Sequence, residues 1–270
     1  MGFEDLERRG LVLLGCGKMG SAMLQGWLGQ GLPATSVWVQ DPAPSDWVKA
    51  QGVHVNAALP AAPAIVLIAV KPQMMGDALP VMAALGGGET LFLSVAAGVG
   101  IAAYEEVLGA TTPIVRAMPN TPAAVGKGIT AIVGNGSASA GDLDLAEQLL
   151  SAVGQVVRLT RESDMDAVTG VSGSGPAYVF HLIETLAAAG VAQGLSPDLS
   201  MRLAKATVAG AGALAEAASE DPAQLRVNVT SPAGTTAAAL EVLMDEDRGF
   251  PALLPRAVKA ATDRSRELGA

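Results

Sequence analysis

The 270-residue chain holds one cysteine, Cys16. No disulfide can form within it, and multi-cysteine zinc sites are excluded. Histidine is almost as scarce: His54 and His181 are the only two, and neither sits at a metal-ligand spacing such as HExxH. No metal is expected. Aromatic residues make up 3%, too few rings for a platform that stacks single-stranded bases. Lys and Arg number 17 against 26 Asp and Glu, a net charge of -9, and no basic cluster stands out. A nucleic-acid partner is therefore excluded. A phosphate-carrying ligand stays compatible, because backbone N–H groups bind phosphate without net positive charge. Charged residues are 16% and hydrophobic residues 50%, which excludes disorder as the main state.

Mean hydropathy is positive, so membrane spans need a test. The uncharged stretch between Lys49 and Lys71 contains Gln51, His54, Asn56, Pro60 and Pro63, and Ala167–Ile183 is broken by Gly170, Gly173 and Gly175. Neither suits a lipid-facing helix. The first ten residues carry Glu4, Asp5, Glu7, Arg8 and Arg9 and resemble no signal peptide. The expectation is a soluble cytoplasmic protein with no membrane partner.

Short apolar runs alternate with helical patterns over the first 160 residues. Strands are predicted at Leu11–Leu14, Ser36–Gln40, Ala64–Val70, Leu91–Val95, Pro113–Arg116, Thr130–Val133 and Gln155–Leu159. Helices are predicted at Lys18–Gln30, Gln73–Leu85, Ala102–Leu108 and Ser139–Val153. This alternation predicts an α/β domain with a parallel, doubly wound sheet over 1–160. From 161 to 270 only helical signals remain: Pro176–Ala192, Pro197–Ala217, Pro222–Val227, Thr235–Asp245 and Pro251–Leu268. Several open at proline, which suits a first helical turn. These helices are rich in alanine and bury little area each, so the second domain is expected to pack against another copy of itself.

The strongest local motif is Gly15-Cys16-Gly17-Lys18-Met19-Gly20, between the first strand and the first helix. Its glycines provide a tight turn, close backbone approach to a pyrophosphate and close helix–sheet packing. Asp41 lies 21 positions beyond Gly20, at the end of the second strand. A carboxylate there accepts hydrogen bonds from the ribose hydroxyls of NAD and repels the 2′-phosphate of NADP; the alternative is that it starts a turn with Pro42. Cys16 reads as a small residue that fits the turn. Ala69-Val70-Lys71-Pro72 and Ala117–Pro122, including Asn120 and Thr121, fall at the carboxyl edge of the sheet, where ligands bind in open α/β folds. Two further loops, Val171–Tyr178 and Thr230–Thr236, place glycines and hydroxyls at helix starts. Such starts can bind a carboxylate or can be ordinary Ser/Thr caps.

The segments GCGKMG, AVKP, RAMPNTPA, SGSGPAY and SPAGTT follow one another along essentially the whole chain. In that order and spacing the chain resembles the pyrroline-5-carboxylate reductases. The resemblance implies an N-terminal Rossmann-like dinucleotide-binding domain and a C-terminal all-helical dimerisation domain. It implies reduction of L-1-pyrroline-5-carboxylate to L-proline with NADP(H) or NAD(H), in a homodimer or a pentamer of dimers. Gly15–Gly20 then match the pyrophosphate loop, and Asn56 and Lys71 match positions near the cofactor. Ser94, Val95 and Ala96, with Asn120 and Thr121, match strand ends that border it. Ser231, Ala233, Gly234, Thr235 and Thr236 match the loop that holds the substrate carboxylate, with Thr236 as the catalytic hydroxyl facing the imine nitrogen.

Two positions depart from the family pattern. Ala233 replaces a glycine of an SPGGTT-like loop, which strains the loop if that position needs positive φ. Asp41 stands where many relatives that prefer NADPH carry a small hydroxyl residue, which suggests that NADH is accepted. Within oxidoreductases, a β-hydroxyacid dehydrogenase would require a second-domain lysine; Lys205 is the candidate, but Ala209 stands where its asparagine partner belongs. A nucleotide-sensing protein without catalysis is the other alternative, against which the Ser231–Thr236 loop argues.

Overall fold

The computed structural model describes residues 4–269. The chain forms two compact units, one running through Gly173 and taking in the last helix from Thr262, the other spanning Ser174–Ala261. The composition change near 160 precedes this division. The first unit runs further because Met165 is fully buried in its core and the Ser265 hydroxyl donates to the Asp166 carboxylate at 2.7 Å.

The first unit contains, in order, α1 (Glu4–Arg9), β1 (Leu11–Leu14), α2 (Lys18–Gly29), β2 (Val37–Gln40), α3 (Asp46–Lys49), β3 (His54–Val55) and β4 (Ile65–Ile68). There follow α4 (Met75–Ala78), β5 (Leu91–Ser94), α5 (Ile101–Leu108), β6 (Ile114–Met118), β7 (Gly128–Gly134), α6 (Ala140–Leu150), β8 (Gly154–Arg158) and α7 (Met165–Val168). The eight strands form one sheet in the order β3-β2-β1-β4-β5-β6-β7-β8. The order reverses between β1 and β4, the switch point where dinucleotides bind.

The central strands β1, β4 and β5 are buried on both faces because helices cover both. On β1, Leu11 and Leu13 pack with Trp27 of α2 and Leu149 of α6. Val12 and Leu14, on the other face, pack with Met75, Met82 and Tyr104. Trp27 is fully buried, and its indole N–H donates to the Leu149 carbonyl at 2.8 Å.

Two expectations need correction. The sheet is not wholly parallel: β6 and β7 run antiparallel, with Arg116 opposite Val133. Residues 119–127 alone connect them, too short for the crossover a parallel pair needs. The helix expected at Gln73–Leu85 is broken into a 3-10 turn at Pro72–Met74, α4, and a 3-10 segment at Pro80–Leu85. Pro80 has no N–H to continue the ladder, and its ring crowds the carbonyl one turn back. Met75, Leu79 and Met82 still face the core, so the apolar period survived although the regular helix did not.

The second unit is helical: α8 (Gly175–Ala192), α9 (Pro197–Ala217), α10 (Pro222–Asn228), α11 (Thr235–Leu243) and the first part of α12 (Phe250–Gly269). Ser196 and Asp221 cap α9 and α10 by accepting the N–H groups of Leu199 and Gln224, and a proline follows each cap. Gly190 of α8 lies against Ser200 of α9, where an added Cβ would fall 2.8 Å from the serine Oγ. Burial is thin in the single chain. Ala187, Ser200 and Ala204 are buried, whereas Phe180 is 60% exposed and Leu203 49%. An apolar surface of this extent calls for a partner.

Candidate functional site

The turn after β1 is built by backbone. Gly15 has φ +86, a left-handed conformation that strains any residue with a Cβ, and its N–H donates to the Gln40 carbonyl at 2.8 Å. A Cβ on Gly20 would lie 2.6 Å from the Gly15 carbonyl oxygen, so glycine lets α2 close onto the loop. Gly17 is the N-cap of α2. It offers no side-chain cap, and a Cβ there would meet nothing within 4 Å. No acidic residue occupies the first turn of α2. The helix start therefore presents N–H donors and a partial positive charge to open space, which fits a diphosphate.

Beside this loop, the ends of β1, β2 and β4 border a cavity of about 390 Å³. Asp41, Asn56 and Val70 line it, together with Leu14, Gln40, Pro42, Met74, Asp77, Ala78, Val81 and Met82. Asp41 Oδ2 accepts the Cys16 N–H at 2.7 Å, which ties the second strand to the glycine loop. Its Oδ1 accepts the Ala43 N–H at 2.8 Å. Asp41 thus does start a turn with Pro42, and in the same place it lines the cavity. Each oxygen keeps a further lone pair for a ribose hydroxyl. Asn56 sits at φ +50, and its amide grips the Asp41 backbone, accepting the N–H at 3.0 Å and donating to the C=O at 2.9 Å.

Cys16 is buried within the loop, and the Ser21 hydroxyl donates to its carbonyl at 3.0 Å. Burial pushes the thiol pKa up; the side-chain contact with Ser21 offsets this only in part, and Asp41 raises it further. A protonated thiol suits a packing role. Lys18 is exposed and Met19 half-buried at the start of α2; Ala69 is half-buried, and Lys71 and Pro72 are exposed beyond β4.

Other expected residues turn inward. Ser94 is 1% exposed, and its hydroxyl bonds Tyr104 at 2.6 Å rather than facing solvent. Val95 is half-buried and Ala96 buried. The Asn120 amide accepts the Ile129 N–H at 2.9 Å and donates to the Ser172 carbonyl at 3.2 Å. It therefore locks the start of β7, while Thr121 opens an exposed 3-10 turn. Gln40, Met74, Asp77, Ala78, Val81 and Met82 were not anticipated from sequence. For Met74, Asp77, Ala78, Val81 and Met82 the signal is the amphipathic stretch after β4, one face of which borders the cavity; Gln40 closes β2.

In the second unit, Gly234 caps α11 without a side-chain hydrogen bond, and its N–H donates to the Ser231 carbonyl at 3.0 Å. Ser231, Ala233 and Thr235 are exposed and Thr236 is half-buried. Ala233 has φ +56, so the alanine that replaces a family glycine does occupy a left-handed position. The arrangement offers N–H groups and hydroxyls to a small anion. Among the described residues, no group of three or more His, Cys, Asp or Glu could hold a metal ion.

A family model for pyrroline-5-carboxylate reductase dimerisation matches residues 162–268. One for NADP oxidoreductase, coenzyme F420-dependent, matches residues 10–98. The chain is 40% identical over 264 residues to the pyrroline-5-carboxylate reductase of Pseudomonas aeruginosa, covering 96% of each. It is 38% identical over 271 residues to that of Methanosarcina acetivorans, covering 98% of this chain and 99% of the relative. Among solved structures, a pyrroline-5-carboxylate reductase from Coxiella burnetii matches with TM-score 0.91 and 32% identity, covering 97% of this chain and 99% of that one. The Plasmodium falciparum pyrroline carboxylate reductase with NADP bound matches with TM-score 0.83 and 30% identity, covering 98% and 99%. With its glycine loop, its SPAGTT helix start and this likeness along nearly its full length, the chain belongs to the pyrroline-5-carboxylate reductase family.

Proposed function

We propose that the chain reduces L-1-pyrroline-5-carboxylate to L-proline with NAD(P)H, the last step of proline biosynthesis. The observation that carries this reading is the pair of glycine-capped helix starts. Gly17 and Gly234 open α2 and α11 with no side-chain cap. By contrast, the Gly100-capped start of α5 is closed, since Glu162 Oε1 accepts the Ile101 N–H at 2.8 Å. One open start suits a diphosphate and the other a carboxylate.

A bound nicotinamide cofactor would supply hydride to the imine carbon, and the C=N π pair would pass to the protonated ring nitrogen to give the amine. The iminium carbon is already electrophilic, so the protein acts by positioning. The Gly15–Gly20 loop holds the diphosphate, Asp41 accepts ribose hydroxyls, and Ser231–Thr236 anchors the carboxylate. The Thr236 hydroxyl hydrogen-bonds the ring nitrogen.

NADH is accepted on this reading. Asp41 and Asp77 both line the cavity, and no Lys, Arg or His joins them there; two carboxylates oppose a 2′-phosphate and suit free hydroxyls. The second unit pairs with its copy through its exposed aliphatic face, as a homodimer or as a pentamer of dimers, which light scattering distinguishes. The buried free thiol Cys16 suits the reducing cytoplasm, where cell fractionation should find the protein. The deciding experiment follows the loss of reduced-cofactor absorbance with pyrroline-5-carboxylate, using NADH and NADPH in parallel. Turnover with NADH at least equal to that with NADPH is expected. Cofactor binding without turnover refutes the function, and turnover with NADPH alone refutes the role of the acids.

A further inference from the structure

The turn that follows β5 is held by the Ser94 side chain. Ser94 closes β5, and its Oγ accepts the Ala96 N–H at 3.2 Å. The same Oγ shares a 2.6 Å hydrogen bond with the hydroxyl of Tyr104. Tyr104 lies inside α5, is 0% exposed and is among the largest fully buried side chains. Phenylalanine would fill that space with no polar atom to satisfy, and a buried hydroxyl is destabilising unless it is bonded. The hydroxyl's partner, Ser94, also fixes the backbone of the β5–α5 turn at Ala96.

The surroundings hold this pair in place. Arg116 stands opposite Ser94 on the neighbouring strand. Glu162 Oε1 accepts from Arg116 Nη1 at 2.7 Å and from the Ile101 N–H at 2.8 Å, which anchors the start of α5. Burial pushes the Tyr104 phenol up to about 12, so its proton stays in place at any physiological pH. In a doubly wound sheet each half takes one mononucleotide. Asp41 assigns the adenosine to the β1–β2 side, which leaves the β4–β5 side to the nicotinamide.

We infer that Tyr104 is a positioning residue for hydride transfer: through Ser94 it fixes the Ala96 peptide in the turn that borders the nicotinamide half of the cofactor. The inference rests on the proposed function for the identity of that ligand. The Tyr104 hydroxyl is buried and bonds Ser94, the contact through which it reaches the turn.

The test is Tyr104→Phe, which keeps the ring and removes only the hydroxyl. The expected result is a kcat lower by about 3- to 10-fold, the scale of one lost buried hydrogen bond, with little change in the KM for the imine. The primary deuterium isotope effect with C4-deuterated cofactor should rise, because hydride transfer becomes more rate-limiting. Y104F should weaken NADH binding and leave binding of ADP-ribose, which lacks the nicotinamide, unchanged. In an S94A background it should add nothing further. A lower Tm with unchanged kcat, isotope effect and NADH affinity makes the hydroxyl purely structural and overturns the inference. So does equal weakening of NADH and ADP-ribose, or full additivity with S94A. If the wild-type protein binds NADH but does not reduce pyrroline-5-carboxylate, the proposed substrate fails, and the comparison of the two ligands still decides the role of Tyr104.

Discussion

Ala233→Gly is the substitution that most directly tests the second loop. Ala233 sits at φ +56, where a Cβ crowds the following carbonyl at a cost of about 1–2 kcal/mol. Glycine removes that strain but leaves the unfolded chain freer, by about 0.4–1 kcal/mol. The difference favours A233G by about 0.5–1 kcal/mol. In a chain of this size that corresponds to a Tm higher by about 1–3 °C. Ala233→Val separates strain from side-chain size: a β-branched residue is disfavoured more strongly at positive φ, so it should lower Tm. Ala233 is exposed, so neither change alters core packing. Differential scanning at matched protein concentration measures both, since self-association of any kind makes Tm concentration-dependent. The KM for the imine should move within about 3-fold in A233G and rise well beyond that in A233V. A less stable A233G, or an A233V indistinguishable from wild type, would refute the strain argument for this loop.

Thr236→Ala should lower kcat by about 10- to 100-fold, the worth of a hydrogen bond to a charged group, with a Tm close to wild type; unchanged steady-state kinetics would sink its assignment. Asp41→Ser removes one of the two cavity carboxylates, and the NADPH-to-NADH ratio of kcat/KM should rise by about 10-fold or more; an unchanged ratio means that Asp41 only holds the turn. Burial pushes the Tyr104 phenol up to about 12 from its ordinary value of 10.0. Its contribution is therefore complete below pH 10 and declines as pH rises from 10 to 12, by about 2–3 kcal/mol. Urea unfolding over that range should show this decline in the wild type and a shallower one in Y104F.

The glycine loop was legible because its demands are local. Positive φ at Gly15 and the close approach of α2 at Gly20 exclude side chains whatever the rest of the fold does. Ala64–Val70 read as a buried strand for an equally local reason, since both its faces are apolar. Sequence shows Ala233 as a departure from the family loop, and only its φ of +56 makes that departure a strain. Asp41 was legible as an acid at a strand end. Its bond to the Cys16 N–H depends on β2 lying beside β1, a pairing that no local pattern encodes.

Sequence by itself determined the α/β-then-helical order, the glycine loop and the family motifs, because periodicity, glycine geometry and helix starts are properties of neighbouring residues. Tertiary structure alone decided the antiparallel β6–β7 pair, the broken helix after β4 and the inward turn of Ser94 and Asn120. It alone set Tyr104 behind Ser94 and Asp77 into the same cavity as Asp41. Each of these is a contact between segments distant in the chain or separated by a turn, and its stability depends on burial and on hydrogen-bond partners that exist only once the sheet has formed.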